Sequence, residues 1–441
     1  MPFKFRGGIH PDDKKAATRK KSIEEIAAPK EVILPMTMHI GAPCSPVVAV
    51  GDHVKTGQIV AEATVPVSAP IHASVSGTVT AVEPRLHPNG TKVMSVVIEN
   101  DFENEYDNSM EPTDRFHSIT ADELADIVRE AGIVGLGGAA FPLSVKIKSA
   151  EGAVDTLIIN GSECEPYITS DNRMIIEYAE ELYDGATIVA KALGLSSATI
   201  AIESNKAGAI AELRRVLSKK TGVKLAVLHT KYPQGSEKQL IKAVTGREVP
   251  PGQLPSAVGV INMNTTSAIA VSRAVREGKR LTHKVVTVSG SAVANPKNLL
   301  VPIGTPIGCL FEACGGFREE PNKILMGGPM MGIAQFSTDV PVIKGTNAIL
   351  AFSRNEDKFA ENATCIHCGK CVSVCPMHLM PLYIYRNNRA GRLDECEKLN
   401  VMDCMECGCC SYTCPARLQL VSVFRATKRM IIANKKKREG R

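Results

Sequence analysis

The most constraining feature of the chain is a pair of matching cysteine runs near its C-terminus. Two-residue gaps let three successive thiolates surround one face of an iron–sulfur cube, and the fourth cysteine, which precedes a proline, then ligates the other cluster. The runs are Cys365-x-x-Cys368-x-x-Cys371-x-x-x-Cys375-Pro376 and Cys404-x-x-Cys407-x-x-Cys410-x-x-x-Cys414-Pro415. The spacing predicts two 4Fe-4S clusters and a fold that brings the two runs side by side.

In crossed ligation, three ligands of each cluster come from one cysteine run and the fourth comes from the other run. Zinc sites and disulfides are the alternatives, but zinc favours paired cysteines or Cys/His sets, and disulfides suit a secreted chain, whereas no secretory signal is expected here. The remaining cysteines are expected to be buried, inert thiols. The predicted ligands are Cys365, Cys368, Cys371 and Cys414 for cluster one, and Cys375, Cys404, Cys407 and Cys410 for cluster two.

Length and composition indicate a multidomain globular protein. A chain of 441 residues exceeds the size of one hydrophobic core, so several domains are expected. The content of 44% hydrophobic and 22% charged residues is typical of soluble proteins. No apolar run reaches the ~18 residues of a transmembrane helix, so no membrane-spanning segment is expected.

Positive charge is concentrated at the C-terminus, in Lys435-Lys436-Lys437-Arg438, although the net charge is only +6. Such a tail could contact an anionic membrane leaflet or an acidic partner, or it could simply be solvated. Nucleic acid is not expected as a partner, because no aromatic residues interleave the basic run and the chain has no Trp.

The N-terminal region divides into an extended arm, residues 1–30, and an all-β module, residues 31–100. Short Val- and Ile-rich runs separated by Gly, Pro and Asn predict the strands of this module. Segments 50–61 and 69–79 resemble the two halves of a barrel-sandwich hybrid of the biotinyl/lipoyl type. A carrier domain needs a lysine in the intervening turn, and residues 65–68 contain none, so a structural role is expected.

Beyond an acidic linker, residues 101–114, the pattern changes to alternating helices and strands. Thr120 and Glu123 form a capping-box pattern for a helix that should end near Gly132. A glycine-rich segment follows, and its backbone amides could approach a phosphate, although a tight turn is the alternative. Residues 156–160 read as a buried strand, and ligands bind at the C-terminal ends of such strands.

The glycine segment and the strand end at Asn160 resemble the flavin-binding elements of the flavoprotein subunit of respiratory complex I. A closer resemblance, in order along nearly the whole chain, is to the C subunit of the Rnf complex, an ion-pumping NADH:ferredoxin oxidoreductase. Its motifs here are Phe5-Arg6-Gly7-Gly8-Ile9-His10-Pro11, Glu163-Cys164-Glu165-Pro166-Tyr167-Ile168-Thr169-Ser170-Asp171 and Tyr232-Pro233-Gln234-Gly235-Ser236-Glu237-Lys238-Gln239.

The resemblance implies a site for non-covalently bound FMN and for NADH. Ordinary packing or turn capping is the alternative role for Phe141 and for Asn262. The glycine loop differs from that of complex I at one position, since Leu136 stands where complex I has an Arg. The implied residues are Gly135, Gly137, Gly138 and Lys146 around the FMN phosphate and ring; Asn160, Glu163 and Glu165 at flavin and ribose hydroxyls; Glu237 and Lys238 in a nucleotide-contacting turn; Asn262, Asn264 and Thr265 in a second polar segment; and Phe141 as a stacking ring.

The resemblance also implies a multidomain α/β and β architecture. The central α/β domain would span 115–283, a β-grasp domain 284–350, an α-helical ferredoxin with both clusters 355–424, and a basic tail 425–441. In the segment after Cys414, Leu420, Val421, Phe424 and Ile431 fall on one helical face, opposite Arg425, Lys428 and Arg429. This helix could pack on the cluster domain or lie against membrane subunits.

The implied activity is NADH oxidation with electron transfer through FMN and two clusters, reversibly toward ferredoxin. A hydride carries two electrons and a cubane accepts one, so a flavin between them is chemically required. The implied partners are the other subunits of a membrane-bound Rnf-type complex, especially its iron–sulfur B subunit, with ferredoxin indirect. The expected location is peripheral, on the cytoplasmic face of the cell membrane. A flavin- and cluster-containing cobalamin reductase and a non-catalytic cluster-carrying adaptor are the alternatives.

Overall fold

The computed structural model describes residues 3–116, 118–356 and 363–439. Small parts of the predicted arm, central domain, ferredoxin-like domain and basic tail (1–2, 117, 357–362 and 440–441) lie outside the described residues. Within the described arm, one short strand, β1 (Ile23–Glu25), pairs in parallel with a strand far along the chain. The arm is therefore built into the rest of the molecule through backbone hydrogen bonds.

The N-terminal module consists of two antiparallel sheets around apolar side chains. One sheet has the order β2-β8-β7-β4 and the other β3-β5-β6. Val32, Leu34, Val60 and Val79 are fully buried between them, as alternating strand residues should be. The strands are β2 (Glu31–Pro35), β3 (Ser45–Pro46), β4 (His53–Val54), β5 (Ile59–Glu62), β6 (Ile71–His72), β7 (Gly77–Leu86) and β8 (Lys92–Asn100).

The central domain is a four-stranded parallel sheet, ordered β11-β10-β9-β12, with helices packed on it. The capping box predicted at Thr120 is confirmed, and its helix ends at Glu130; the predicted buried strand is also confirmed. The elements are α1 (Ala121–Glu130), α2 (Leu143–Lys148), β9 (Thr156–Gly161), α3 (Ser170–Glu177), α4 (Ala179–Ala192), β10 (Ala198–Glu203), α5 (Ala207–Leu217), β11 (Val223–Leu228), α6 (Glu237–Thr245), β12 (Val260–Asn264) and α7 (Thr265–Glu277).

Gly185 marks a close crossing of α4 with α7. A Cβ atom added there would lie 1.9 Å from the carbonyl oxygen of Ala268. Gly185→Ala is therefore expected to destabilise the protein by about 1–3 kcal/mol, because the helices must separate. Chemical denaturation would measure this loss.

Gly208→Ala is the matched control, since Gly208 is also in a helix but its added Cβ would come no closer than 3.4 Å to a neighbouring atom. There alanine should be neutral or stabilise by about 0.5–1 kcal/mol. Equal effects of the two substitutions would contradict the close crossing.

A six-stranded mixed sheet follows, in the order β1-β14-β13-β17-β15-β16. One helix covers a core in which Val286, Val288, Leu310 and Ile349 are fully buried. The elements after β1 are β13 (His283–Ser289), β14 (Lys297–Pro302), α8 (Ile307–Ala313), β15 (Lys323–Met326), β16 (Ile333–Gln335) and β17 (Ala348–Phe352).

The described C-terminal residues, 363–439, contain helices and no strand. The sequence between the cysteine runs is helix-like at residues 381–386 and 392–399, and two helices, α10 and α11, are present there. The helices are α9 (Lys370–Ser373), α10 (Pro381–Arg389), α11 (Leu393–Lys398), α12 (Cys409–Thr413) and α13 (Leu420–Glu439).

The last helix, α13, packs on the cluster domain. Leu420, Phe424 and Ile431 are buried in the same core as the cysteines. Arg425 and Lys428 both pair with Glu406 of that domain, each at 2.8 Å, so they do not project freely into solvent. The helix continues across residue 425, where the basic tail was expected to begin. Among the described helices, none has the length and hydropathy needed to cross a bilayer.

Candidate functional site

The predicted site residues lie along one edge of the central sheet, where β9 and β12 end. Asn160 and Asn264 are directly paired in register across these two strands. Asn160 donates to the carbonyl oxygen of Gly235 at 2.8 Å. Asn264 caps α7 by accepting from the backbone of Thr266 and donates to Asp171 at 2.7 Å. Both amides thus hold the surrounding loops in place at the edge where α/β proteins bind ligands.

Lys146 joins three elements that are distant in sequence. Its Nζ donates to Glu237 Oε1 at 3.0 Å and to Asn262 Oδ1 at 2.7 Å. Lys146 comes from α2, Glu237 from the first turn of α6, and Asn262 from β12. An ammonium group has three donors, so one remains for a ligand once these two bonds are made. The fold thus brings together three of the predicted residues around one partly exposed positive charge.

The glycine-rich loop, which precedes α2 in the chain, closes on itself through backbone hydrogen bonds. The backbone amide of Gly135 donates to Phe141 at 2.8 Å, and that of Ala140 donates to Gly135 at 3.0 Å. Gly137 abuts Asn264, since an added Cβ would lie 3.0 Å from its Nδ2 atom. Gly138 has φ +117° and no atom within 4 Å of its Cβ position, so the side on which a side chain would stand is open, whereas its carbonyl oxygen is close to Gly345. A side-chain-free backbone beside a lysine fits a phosphate-bearing ligand such as FMN.

Leu136 lies on the opposite side of this loop. Its side chain is 1% exposed and belongs to the hydrophobic core. Its amide donates to Ser267, and its carbonyl accepts from the ammonium of the buried Lys284. Leu136, where the complex I flavoprotein has an Arg, is therefore an apolar residue that anchors the loop in the hydrophobic core.

Burial lowers the pKa of Lys284 to about 8. Between this value and the unfolded value of 10.5, the unfolded chain binds more protons than the folded one, so stability rises with pH across that window. Between pH 8 and 10.5, we expect the free energy of unfolding of the wild type to rise by about 3 kcal/mol relative to that of Lys284→Met, because each pKa unit corresponds to 1.36 kcal/mol.

Denaturation of both proteins at several pH values measures this difference. The substitution also leaves the Leu136 carbonyl without its donor, but that effect is independent of pH. A constant stability difference from pH 8 to 10.5 would contradict a buried, charged Lys284.

Glu163 is directed into a buried network with the N-terminal arm. One of its carboxylate oxygens accepts from the amide of Asp171 at 2.8 Å, and the other lies 3.7 Å from Nζ of Lys15. Lys206 donates to its backbone carbonyl at 3.0 Å. Burial raises the pKa of Glu163 and lowers that of Lys15. No motif in the arm signalled Lys15, because a single lysine in a charged segment has no distinguishing pattern.

Glu165 lies at the boundary with the C-terminal domain. Its carboxylate is 3.3 Å from the hydroxyl of Tyr232 and accepts from the amide of Met330 at 3.1 Å. Burial raises the pKa of Glu165 to about 7. The hydroxyl of Tyr232 donates to the carbonyl oxygen of Cys407 at 2.7 Å. Sequence reasoning assigned Tyr232 to a motif but gave it no role.

Three other predicted residues have different surroundings. Lys238 donates to the carbonyl oxygen of Pro250 at 3.2 Å, although its neighbour Glu237 meets Lys146. Phe141 is half-buried. Thr265 is fully buried, and its hydroxyl has no hydrogen-bond partner in the described part of the chain.

A cavity of about 840 Å³ lies beneath the glycine loop. Leu136, Met174, Thr266, Arg273 and Lys284 contribute to its wall, and the predicted flavin and NADH residues do not. The predicted flavin and NADH residues therefore lie outside the wall of this cavity.

The cysteines fall into two groups that mix the runs. Cys365, Cys368, Cys371 and Cys414 line one small cavity. In the other group, burial first and then the nearby Cys404, Cys407 and Cys375 thiols raise the pKa of Cys410. Four thiols facing one space are the donor set of a 4Fe-4S cluster. A cube spaces its ligands more widely than one ion does, and no three His, Cys, Asp or Glu side chains in the described ranges are placed to hold a single metal ion.

Four domain families match this chain. They are the RnfC barrel sandwich hybrid domain (residues 3–103), the Nuo51 FMN-binding domain (128–273), the SLBB domain (285–334) and the 4Fe-4S dicluster domain (364–418). Together they define a class of electron-transfer protein that combines an FMN-binding domain with a two-cluster ferredoxin domain.

Relatives match over most of the chain. This chain is 46% identical to the C subunit of the Na⁺-translocating ferredoxin:NAD⁺ oxidoreductase complex of Acetobacterium woodii, over 98% of both chains. It is 45% identical to the C subunit of the proton-translocating complex of Clostridium ljungdahlii, over 86% of this chain and 82% of the relative. It is 44% identical to the C subunit of the ion-translocating oxidoreductase complex of Rhodobacter capsulatus, over 91% and 78%. The chain belongs to the RnfC family, the C subunits of the Rnf complexes, and the resemblance inferred from its motifs is confirmed.

A solved structure shows a related fold. The match is to a chain of an NAD⁺-reducing [NiFe]-hydrogenase in the air-oxidised state, with a TM-score of 0.50 and 19% identity. It covers 70% of this chain and 64% of the hydrogenase chain, less than two thirds of its length. This similarity concerns the fold alone.

Proposed function

We propose that this chain is the NADH-oxidising subunit of an ion-translocating NADH:ferredoxin oxidoreductase, passing electrons through FMN and two 4Fe-4S clusters, reversibly. The observation that carries this proposal is the contact of Tyr232 with Cys407, at 2.7 Å, which joins the flavin-domain edge to a cysteine group. The names of the relatives, as ferredoxin:NAD⁺ oxidoreductase subunits, support the same reaction.

The site residues have distinct proposed roles. Lys146 would neutralise the FMN phosphate with its remaining donor. Gly138, with no atom within 4 Å of its Cβ position, would leave room for the ligand, while Gly135 and Gly137 would fix the loop through their contacts with Phe141 and Asn264. FMN, when bound, accepts the hydride of NADH and releases its electrons singly, as one-electron clusters require. The roles assigned to the other predicted residues remain proposals. The ammonium of Lys238 already donates to Pro250, and Oε1 of Glu163 accepts from Asp171, whereas the buried Oε2 of Glu163 has no hydrogen-bond partner in the described residues.

The crossed cysteine sets are proposed as the cluster ligands. Cys414 shares a cavity with the first run, and Cys375 lies among the thiols of the second. The proposed domain limits are 31–100, 115–283, 284–350 and 355–424, with the third a β-grasp domain and the fourth an α-helical ferredoxin. The helical content of the described residues from 363 onward supports the last assignment.

The proposed partners are the other subunits of the complex, especially an iron–sulfur B subunit, with ferredoxin as the indirect partner. The names of the relatives, as subunits of complexes, support membership of a multisubunit assembly. The proposed position is peripheral, on the cytoplasmic face of the membrane.

The test is one preparation of the cluster-loaded full chain. Denaturation should release one FMN per chain, and anaerobic NADH should bleach first the flavin and then the cluster absorbance. Protein that carries both clusters but binds no FMN would be an adaptor, and the proposed function would be wrong. Loaded protein that binds FMN without NADH-dependent bleaching would also refute it.

A further inference from the structure

The two cysteine groups have different surroundings. We define the outer set as Cys365, Cys368, Cys371 and Cys414, and the inner set as Cys375, Cys404, Cys407 and Cys410. Every residue lining the cavity of the outer set belongs to the C-terminal domain, from Cys365 to Leu420. Cys368 is exposed, and Ile366, two residues before it in the chain, is 66% exposed. The outer set therefore has a face toward solvent.

The inner set is contacted by other parts of the molecule, and its Cys407 and Cys410 are buried while Cys375 and Cys404 are half-buried. The arm contacts it at Cys375, because an added Cβ on Gly7 would lie 2.6 Å from the Cys375 carbonyl oxygen. Gly8 donates its amide to Val374 at 2.8 Å. From α6, Gln239 donates to the carbonyl oxygen of Pro376 at 3.2 Å. Three contacts beside one ligand thus attach the inner set to the arm and the flavin domain.

A second attachment runs through Tyr232. Its ring is 2% exposed, and its hydroxyl donates to Cys407, an inner-set residue, while lying 3.3 Å from Glu165. Glu165 lies four residues after the end of β9, the strand that carries Asn160. The backbone of Tyr232 also pairs with Ile9 of the arm, at 2.8 and 2.9 Å. This residue is therefore held from both sides between the flavin-domain edge and the inner cysteines.

We propose that the inner set holds the cluster that exchanges electrons with the flavin domain, that the outer set holds the cluster facing the partner subunit, and that Tyr232 is a positioning residue at the junction. The proposal rests on the proposed function. One-electron transfer slows steeply with distance, so the cluster in contact with the flavin domain exchanges first. Each transfer moves one electron and no atom, oxidising the donor and reducing the acceptor by one.

Disruption of single clusters in the full chain tests the order. In Cys368→Ser, NADH should reduce the inner cluster at the wild-type rate, as measured by freeze-quench EPR. Cys404→Ser should slow NADH reduction of the outer cluster by about tenfold or more, while dithionite still reduces it. The reverse pattern, with the outer cluster reduced normally by NADH and the inner one slowed, would overturn the order.

Tyr232→Phe tests the junction with all eight ligands intact. Reduction of both clusters by NADH should slow by about tenfold, with FMN content and dithionite reduction unchanged. Tyr383→Phe removes the same hydroxyl from an exposed tyrosine of α10 and should have no effect. Equal rates in wild type and Tyr232→Phe would remove Tyr232 from the proposal.

A third measurement is independent of NADH. In dithionite-reduced protein, an aqueous dysprosium chelate should speed the electron-spin relaxation of the outer cluster much more than that of the inner one. Equal relaxation of the two would refute the inner and outer placement. If NADH reduces neither cluster of the wild-type chain, the proposed function fails while this placement is still decided by the chelate.

Discussion

Replacing Cys375 by serine is expected to remove the cluster of the second cysteine run and to leave that of the first run in place. Cys375 belongs to the first run in sequence, yet its thiol lies among Cys404, Cys407 and Cys410. Serine is a poor ligand for iron in a cluster held by thiolates. Iron and sulfide content should fall to about half, and EPR should show the loss of one signal.

Two companion variants complete this experiment. Cys414→Ser should remove the other signal, because Cys414 lines the cavity of the first run. Cys396→Ser is the matched control, since Cys396 is a buried thiol of the same domain that donates to the Ile384 carbonyl. It should keep both clusters. Loss of the first-run signal in Cys375→Ser would show that each run ligates its own cluster.

Replacing Lys146 by alanine is expected to weaken FMN binding by about 10- to 100-fold. Hydrogen bonds to charged groups contribute about 1.5–3 kcal/mol, and each 1.4 kcal/mol is tenfold in affinity. The substitution also leaves the carboxylate of Glu237 without its ammonium partner, which adds repulsion toward a phosphate. Titration of the deflavinated protein with FMN, followed by flavin fluorescence, measures the change.

Lys148→Ala is the control for this substitution. Lys148 ends the same helix, but its ammonium pairs with Asp126 at 3.0 Å on the surface. It should leave FMN affinity unchanged. An equal loss in both variants would indicate general electrostatic attraction, and unchanged affinity in Lys146→Ala would remove Lys146 from the site.

Local sequence patterns predicted the elements that depend on neighbouring residues. The capping box at Thr120, the buried strand at 156–160 and the helices between the cysteine runs are all present. The apolar face of the last helix was also visible, but the choice between packing and membrane contact was not. That choice depended on the presence of a complementary core around Phe424, which only the folded domain provides.

The contacts of the predicted site residues were less accessible to sequence reasoning. Glu237 and Lys238 are adjacent, yet one meets Lys146 and the other Pro250, since successive helical residues point in different directions. Glu163 was expected at a ligand, and its carboxylate is bonded to the amide of Asp171 near Lys15. A partner 148 residues away leaves no periodic signal in the chain.

The sequence by itself determined the ligand chemistry and the family, because cluster spacing and ordered motifs are properties of the linear chain. Only the tertiary structure decided which cysteine set meets the flavin domain. The two runs have the same spacing and so are equivalent in sequence. Their difference arises where Tyr232 and the arm pack against Cys407 and Cys375, through contacts between segments more than a hundred residues apart.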